Sequence, residues 1–521
     1  MAHDLNQYSE FLVKIFEQEY KQTSEKGITV NPIVSELASW YEKLRNAIEY
    51  REDEVILRAT IERILKRRLI LGGTGKSVAE PLIRELIWAR YFPDGSIEDL
   101  AIKKVEKSID VHLSLKRLIV QNGFKEQLAT KIMYQLASAD IEKILNFNIE
   151  KDTMSNLIFH ILKSNIQIVD DTEENRDAQL YIAVRKAYAK DDLAFLRYNL
   201  FCQFFGQLTE ENLETVVKEF PNAFKEFDRQ LNYKLRHKIY SYTKRQIPPF
   251  LILEELLRRN KGNVRALLTN EEELKNQIIT VCQQKYNTIV AKVRRAVIRS
   301  VIFILLSKVF FAFTIEGTYE KYMYGKVLWG SIALNIIIPT LLMVATGLFI
   351  KTPRKDNTER IVSRIKTILF DPTPQLGRVL GLRLNPPQKK PVLQNIFNIL
   401  WFTTYLLSFG LVIFVLTKLH FNFVSQSVFV FFLTIVTFLS FRINQTAHLY
   451  TVEDRPGLLT PLVDFFFMPI ARIGRHLTEG ISQINIFLFI LDFIIETPFK
   501  GIVAFFEQLF FFLHSKRENL G

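Results

Sequence analysis

The sequence predicts an all-α membrane protein: an N-terminal soluble helical domain, then a four-helix polytopic transmembrane domain, then C-terminal interfacial or re-entrant amphipathic helices. Three observations carry that prediction. Apolar residues recur every three or four positions with no sustained two-residue alternation, which is the period of helices and not of strands. Four apolar runs beyond residue 295 reach the roughly 20 residues a helix needs to cross a hydrocarbon core of about 30 Å. Charge divides in the same way: of 68 basic and 55 acidic residues, 46 and 42 lie within 1–295, and 22 and 13 follow. The net charge is thus +4 over the first part and +9 over the second, and 29 of the 43 phenylalanines lie in the second. A basic excess that tracks hydrophobicity is a membrane pattern and not a nucleic-acid footprint. With 521 residues, the chain exceeds one core, so at least two folding units are expected.

The polar opening MAHDLNQYSE has no basic lead into an apolar run and predicts no secretory signal. Asn31-Pro32 supplies a cap and a first-turn proline for a helix whose apolar stripe is Ile33, Leu37, Trp40 and Leu44. A second helix runs from Asp53 through Ile61, Ile64 and Leu65 to Leu71, stopped by Gly72-Gly73. Further helical patterns follow at 97–120, 126–136, 156–162, 178–188, 193–205 and 213–220. Their connections are short and polar, as antiparallel helical neighbours require, and no fixed repeat is visible. Asn270 followed by Glu271, Glu272 and Glu273 reads as an N-cap with acid at the positive end of the helix dipole. No glycine or proline interrupts the chain from there to Gly317, so the last helix of the 1–295 domain, from about 271, runs straight into the first span. Cys202 and Cys282 are too far apart to suggest a thiolate metal site and read as buried apolar thiols in a reducing compartment.

The transmembrane domain, 296–450, holds spans at 296–315, 327–350, 396–416 and 423–441. Lys285, Lys292, Arg294 and Arg295 precede the first span. Ten basic residues occupy the loop 351–391 between the second and third, and Arg442, Arg455, Arg472 and Arg475 follow the fourth. The other two connections are poor in cations: Lys321 and Lys326 beside Glu316 and Glu320, and Lys418 alone. The positive-inside rule therefore predicts a multi-pass cell-membrane protein with both termini cytoplasmic. The basic loop is a topogenic connector; its sharper reading is an anionic-lipid contact through Lys351, Arg354, Lys355, Lys389 and Lys390, each adding about 1 kcal/mol near a charged surface. In the last stretch, 451–521, the apolar runs 484–495 and 499–513 are short for spanning. They are expected as a broken hairpin in the cytoplasmic leaflet, against the rivals of one bent fifth span, 484–513, or packing on the other spans.

Chemistry is sparse. Gly72-Gly73-Thr74-Gly75-Lys76-Ser77 invites a phosphate-loop reading through Gly73, Gly75, Lys76 and Ser77, but Ile70 stands where a P-loop needs its first glycine and the preceding segment is helical. Helix termination, with a cap at Ser77-x-x-Glu80, accounts for every letter. The eight histidines are scattered and make no ligand pair, and no catalytic residue or cofactor is indicated. Lys308 is the exception, since a cation inside a span is costly and marks a functional position. Asp492 and Glu496 are its candidate partners, and Asn335 with Pro339 permits a kink and an interhelical hydrogen bond. The plan suits a membrane-anchored scaffold or adaptor that lies in the lipid bilayer and recruits a cytoplasmic protein, with anionic lipids and self-association as further contacts and no nucleic acid. An oligomeric channel or transporter is the alternative, and a membrane-bound nucleotide- or phosphate-using enzyme a third.

Overall fold

The computed structural model describes residues 5–17, 27–49, 53–70, 72–385, 391–452, 460–482 and 497–518. In chain order the helices are α1 (Gln7–Glu17), α2 (Pro32–Glu49), α3 (Asp53–Leu69), α4 (Gly75–Trp88), α5 (Asp99–Gln121), α6 (Glu126–Leu145), α7 (Ile149–Lys163), α8 (Glu173–Val184), α9 (Leu193–Phe205), α10 (Leu213–Leu231) and α11 (Arg236–Gln246). They continue as α12 (Pro248–Arg259), α13 (Val264–Thr269), α14 (Glu271–Phe311), α15 (Gly317–Tyr324), α16 (Trp329–Phe349), α17 (Lys355–Phe370), α18 (Pro391–Lys418), α19 (Phe423–Ala447), α20 (Thr460–Ser482) and α21 (Thr497–Glu518). The all-α class is as the sequence predicts. Two short strands are additional: β1 (Ile166–Val169) pairs in parallel with β2 (Leu380–Arg383), Ile166 opposite Leu380 and Val169 opposite Arg383. Four residues are too few to show a two-residue period, and the pairing partner lies far away in sequence.

The chain divides into two compact units: a helical unit (Asn6–Ile247, Pro372–Leu384, Asn485–Gly521) and a spanning unit (Met1–Leu5, Pro248–Asp371, Asn385–Ile484). This division falls before α12, whereas the sequence places it at 295. The reason is packing: α12 and α13 lie against α14, and Leu253, Leu257, Leu268, Leu274 and Ile278 are buried without remainder.

Within the helical unit one core gathers Ile61, Ile64 and Leu65 of α3, Leu82, Ile83 and Leu86 of α4, and Ile109 of α5. A second gathers Leu115, Leu136, Phe201, Phe220 and Phe227. Helix α2 presents a face other than the expected one, burying Val34, Ala38 and Tyr41 while Ile33, Leu37 and Trp40 are 59%, 52% and 65% exposed. Leu44 lies outside the described side chains. The two faces are one residue apart in phase, so a 3.6-residue period fits both. Helix α21 joins the first core through Val503, and Phe499 stacks on Tyr41 with ring centroids 4.7 Å apart. The apolar run 499–513 thus buries one face against helices instead of facing lipid on all sides; burial of a valine or phenylalanine contributes about 1.5–3 kcal/mol. The preceding run, 484–495, lies outside the described residues.

In the spanning unit Asn270 caps α14 as expected, its Oδ1 accepting the Glu273 N–H at 3.2 Å. The helix does not stop near Gly317: a π-helical turn at Ala312–Glu316 carries it into α15, and Gly317 keeps a helical φ of −64°. The continuous stretch Glu271–Tyr324 ends at Gly325, where φ is +68°. Among the described residues, four helices are long and apolar enough to cross a membrane: Glu271–Tyr324, Trp329–Phe349, Asn395–Lys418 and Phe423–Ala447. They coincide with the four runs read from the sequence, the second helix being three residues shorter than its run, 327–350, and mark a membrane protein. Helix α19 is the hub, packing on α14, α16, α18 and α20. At Gly474 of α20 a Cβ would stand 2.1 Å from the Thr434 carbonyl oxygen, a backbone approach only glycine allows.

Candidate functional site

The strongest polar constellation lies inside the candidate spans. Lys308, Glu316, Glu320 and Asn335 are each wholly buried. Lys308 Nζ stands 3.4 Å from Glu316 Oε1 and 4.7 Å from the centroid of the Phe432 ring. Asn335 Nδ2 donates to Glu316 Oε2 at 2.5 Å and to the Ser425 carbonyl at 3.1 Å. Glu320 accepts the Leu328 backbone N–H at 2.7 Å and Asn422 Nδ2 at 2.8 Å. Asn422 Oδ1 in turn caps α19 by accepting the Ser425 N–H at 2.9 Å. The network therefore ties α14, α15, α16 and α19 together.

The π turn is what makes the ion pair geometrically available. In a regular α-helix residues eight apart lie about 80° apart around the axis; a π turn inserts one extra residue, so Lys308 and Glu316 are separated by about seven α-helical steps and share a face. Sequence reasoning placed Glu316 and Glu320 in a polar connection because spacing alone gives no sign of the extra residue. The preceding basic-in-span signal does single out Lys308, and its partner is Glu316; Asp492 and Glu496 lie outside the described residues. Among the described residues, Ser331 Oγ, Asn335 Oδ1 and Ser425 Oγ are buried with no hydrogen-bond partner. A buried pair in an apolar bundle is strongly coupled to the arrangement around it, since losing one member leaves an uncompensated charge at a cost of about 3–5 kcal/mol.

The glycine motif is a helix start. Gly72 and Gly73, with φ of +86° and +156°, carry the chain out of α3. Thr74 takes the N-cap position of α4, its N–H donating to Ser77 Oγ at 3.1 Å, and the Ser77 hydroxyl donates back to the Thr74 carbonyl at 2.9 Å. The cap is therefore one turn earlier than Ser77-x-x-Glu80, and Glu80 pairs with Arg84 at 2.9 Å. The Gly75 N–H donates to Asp110 Oδ1 at 2.6 Å, so a carboxylate of the chain itself sits where a phosphate would. A Cβ on Gly75 would come within 2.1 Å of the Glu106 carbonyl oxygen, which gives the glycine a packing reason. Lys76 is exposed.

Lys351, Arg354 and Lys355 are exposed where α16 passes into α17, while Lys389 and Lys390 lie outside the described residues. Among the described residues no group of three or more His, Cys, Asp or Glu side chains is placed to hold a metal ion. The helical unit holds a buried charge cluster that periodicity had assigned to solvated faces. Arg58 meets Glu62 at 2.5 Å, Asp192 at 2.7 Å and Ser138 Oγ at 3.0 Å; Arg185 meets Asp152 at 2.6 Å and Asp191 at 2.7 Å. Burial pushes the neighbouring Glu142 carboxyl up to about 8 against the pull of Lys151 and Arg58, and its Oε2 is buried without a partner among the described residues. Compared with known proteins, the chain matches no family model, no curated sequence and no solved structure.

Proposed function

We propose that this membrane protein is a membrane-anchored scaffold or adaptor whose helical unit faces the cytoplasm and recruits a protein partner through α2. The observation that carries the reading is the outward stripe Ile33, Leu37 and Trp40, at i, i+4 and i+7, with the adjacent face already spent on the unit's core. That spacing is what an amphipathic helix of a partner engages, and tryptophan is the commonest anchor of such contacts. The intramembrane polar groups support the same reading, because Lys308, Glu316 and Asn335 bond to one another and hold the spans in one arrangement. The chain's threading supports the same reading: β2 and α21 both belong to the helical unit, and pairs of crossings return the chain to one side. The basic loops mark that side as cytoplasmic.

The test is crosslinking and co-purification of the full chain from its native membrane, wild type against Leu37→Asp/Trp40→Asp. A specific partner is expected whose association weakens by at least about tenfold in the variant, as loss of a buried tryptophan anchor costs about 2 kcal/mol or more. Unchanged association would refute the α2 site. Solute or ion flux in proteoliposomes that Lys308→Leu abolishes would instead establish the oligomeric channel or transporter.

A further inference from the structure

A groove on the spanning unit supports a separate inference, independent of the scaffold reading. Between the first half of α14 and α17 the surface opens into a groove of about 1090 Å³. One wall is a stripe of α14 that includes Lys275, Ile279, Gln283, Asn287 and Val290; the other runs from Pro353 along α17 to Asp371. A second depression of about 360 Å³ shares Asn287 and Val290 and continues through Arg294 and Arg295 to Ile298, inside the first candidate span. The two form one trough that starts in the span and climbs along α14 out of it. Between Ile298 and Ile279 the helix rises roughly 28 Å at 1.5 Å per residue.

The lining changes character along its length. Ile279 and Val290 are 38% and 47% exposed on one wall and face the apolar Pro353, Val362 and Phe370 of the other. The mouth is cationic: Arg294, Arg295, Arg354 and Lys355 line it and are exposed, against Glu359. At the far end Lys366 is paired with Glu271, so the charge there is already neutralised. We infer that the trough holds an acyl chain of an anionic phospholipid drawn up from the bilayer, with its phosphate held at the mouth by Arg354 and Lys355. A soluble anion would use the mouth but leave the apolar walls in water. A zwitterionic lipid would use the walls but gain little from the mouth. Because the bilayer interior is as apolar as the trough, the acyl chain gives no net preference, and selection for the site comes from the headgroup charge.

The experiment places a reporter where bilayer lipid does not reach. The full chain carrying Trp329→Phe, Trp401→Phe and Ile279→Trp is reconstituted with phosphatidylglycerol or phosphatidylcholine brominated on its acyl chains. Brominated phosphatidylglycerol is expected to quench most of the fluorescence of the tryptophan at 279, brominated phosphatidylcholine little, and Arg354→Glu/Lys355→Glu to restore it. A tryptophan introduced by Thr280→Trp, outside the trough, is expected to stay bright. Equal quenching at 279 and 280, or equal quenching by the two lipids, overturns the inference. Since a tryptophan at 279 narrows the trough, native mass spectrometry of the chain with Ile279 intact supplies the second reading. An anionic lipid is expected to survive delipidation in that chain and to be lost in Arg354→Glu/Lys355→Glu; its absence from the unaltered protein, or its retention in the variant, overturns the proposal.

Discussion

Glu142 shows what burial does to a single carboxylate. Its native value of about 8, raised from 4.5 chiefly by desolvation, means that the folded chain holds a proton the unfolded chain releases above pH 4.5. Stability should therefore fall as pH rises from about 4.5 to 8 and level off above, because over that window the folded state binds more protons. Glu142→Gln, which cannot ionise, is expected to flatten this part of the profile and to raise stability near pH 8 by a few kcal/mol. Thermal unfolding of both forms between pH 4.5 and 9 checks it, and parallel profiles would disprove the assignment. None of this was legible in the sequence, where Glu142 sits at an ordinary helical spacing. Its penalty arises from burial by tertiary neighbours, with Lys151 and Arg58 opposing it and the Asp191 and Asp192 charges adding to it. Lys308 was legible because a lone cation in an apolar run of span length violates the cost of charge in lipid wherever its partner lies.

At the scale of elements, the existence of the helices followed from periodicity and their termini from caps, as Asn270 and Gly325 illustrate. Two features escaped that reasoning, the facing of α2 and the π turn of α14, because both depend on which neighbour a helix meets. The π turn also has a mechanical consequence. A turn holding one extra residue can lose one and become regular α-helix, with everything beyond it kept in phase. Deletion of Thr314, an exposed residue of that turn, should keep Lys308 and Glu316 on one face, now seven apart, and leave the network intact. Deletion of Ile302 in the regular part of α14 leaves Lys308 and Glu316 in register with each other but rotates both by about 100° relative to the residues before it, and should carry the pair away from Asn335 at about 3–5 kcal/mol. Detergent-solubilised melting of the two deletions distinguishes them; equal damage would mean that the π turn does not absorb a lost residue.

For the whole molecule, the charge pattern predicts which loops share a side, and the proposed topology has to accommodate the make-up of the helical unit. Strand β2 lies in the loop between the second and third spans and α21 follows the fourth, yet both are built into the unit that contains residues 6–247. Hydrogen bonds fasten that loop: Asn165 Nδ2 donates to the Leu376 carbonyl at 2.7 Å and the Tyr242 hydroxyl to the Arg378 carbonyl at 2.9 Å. The proposed two hairpin pairs of spans satisfy this threading. The native cysteines give little background for mapping it, since Cys282 is buried and burial raises the Cys202 thiol. Exposed positions can therefore be read through Gln375→Cys in the fastened loop, Phe505→Cys on the outer face of α21 and Tyr322→Cys, whose side chain is 87% exposed beyond the first span. With a membrane-impermeant maleimide on intact cells, Tyr322→Cys should label at once, and the other two only after permeabilisation. Labelling of Gln375→Cys or Phe505→Cys in intact cells would separate them from the cytoplasm. It would also remove the common side on which β1 and β2, and α2 and α21, need to meet.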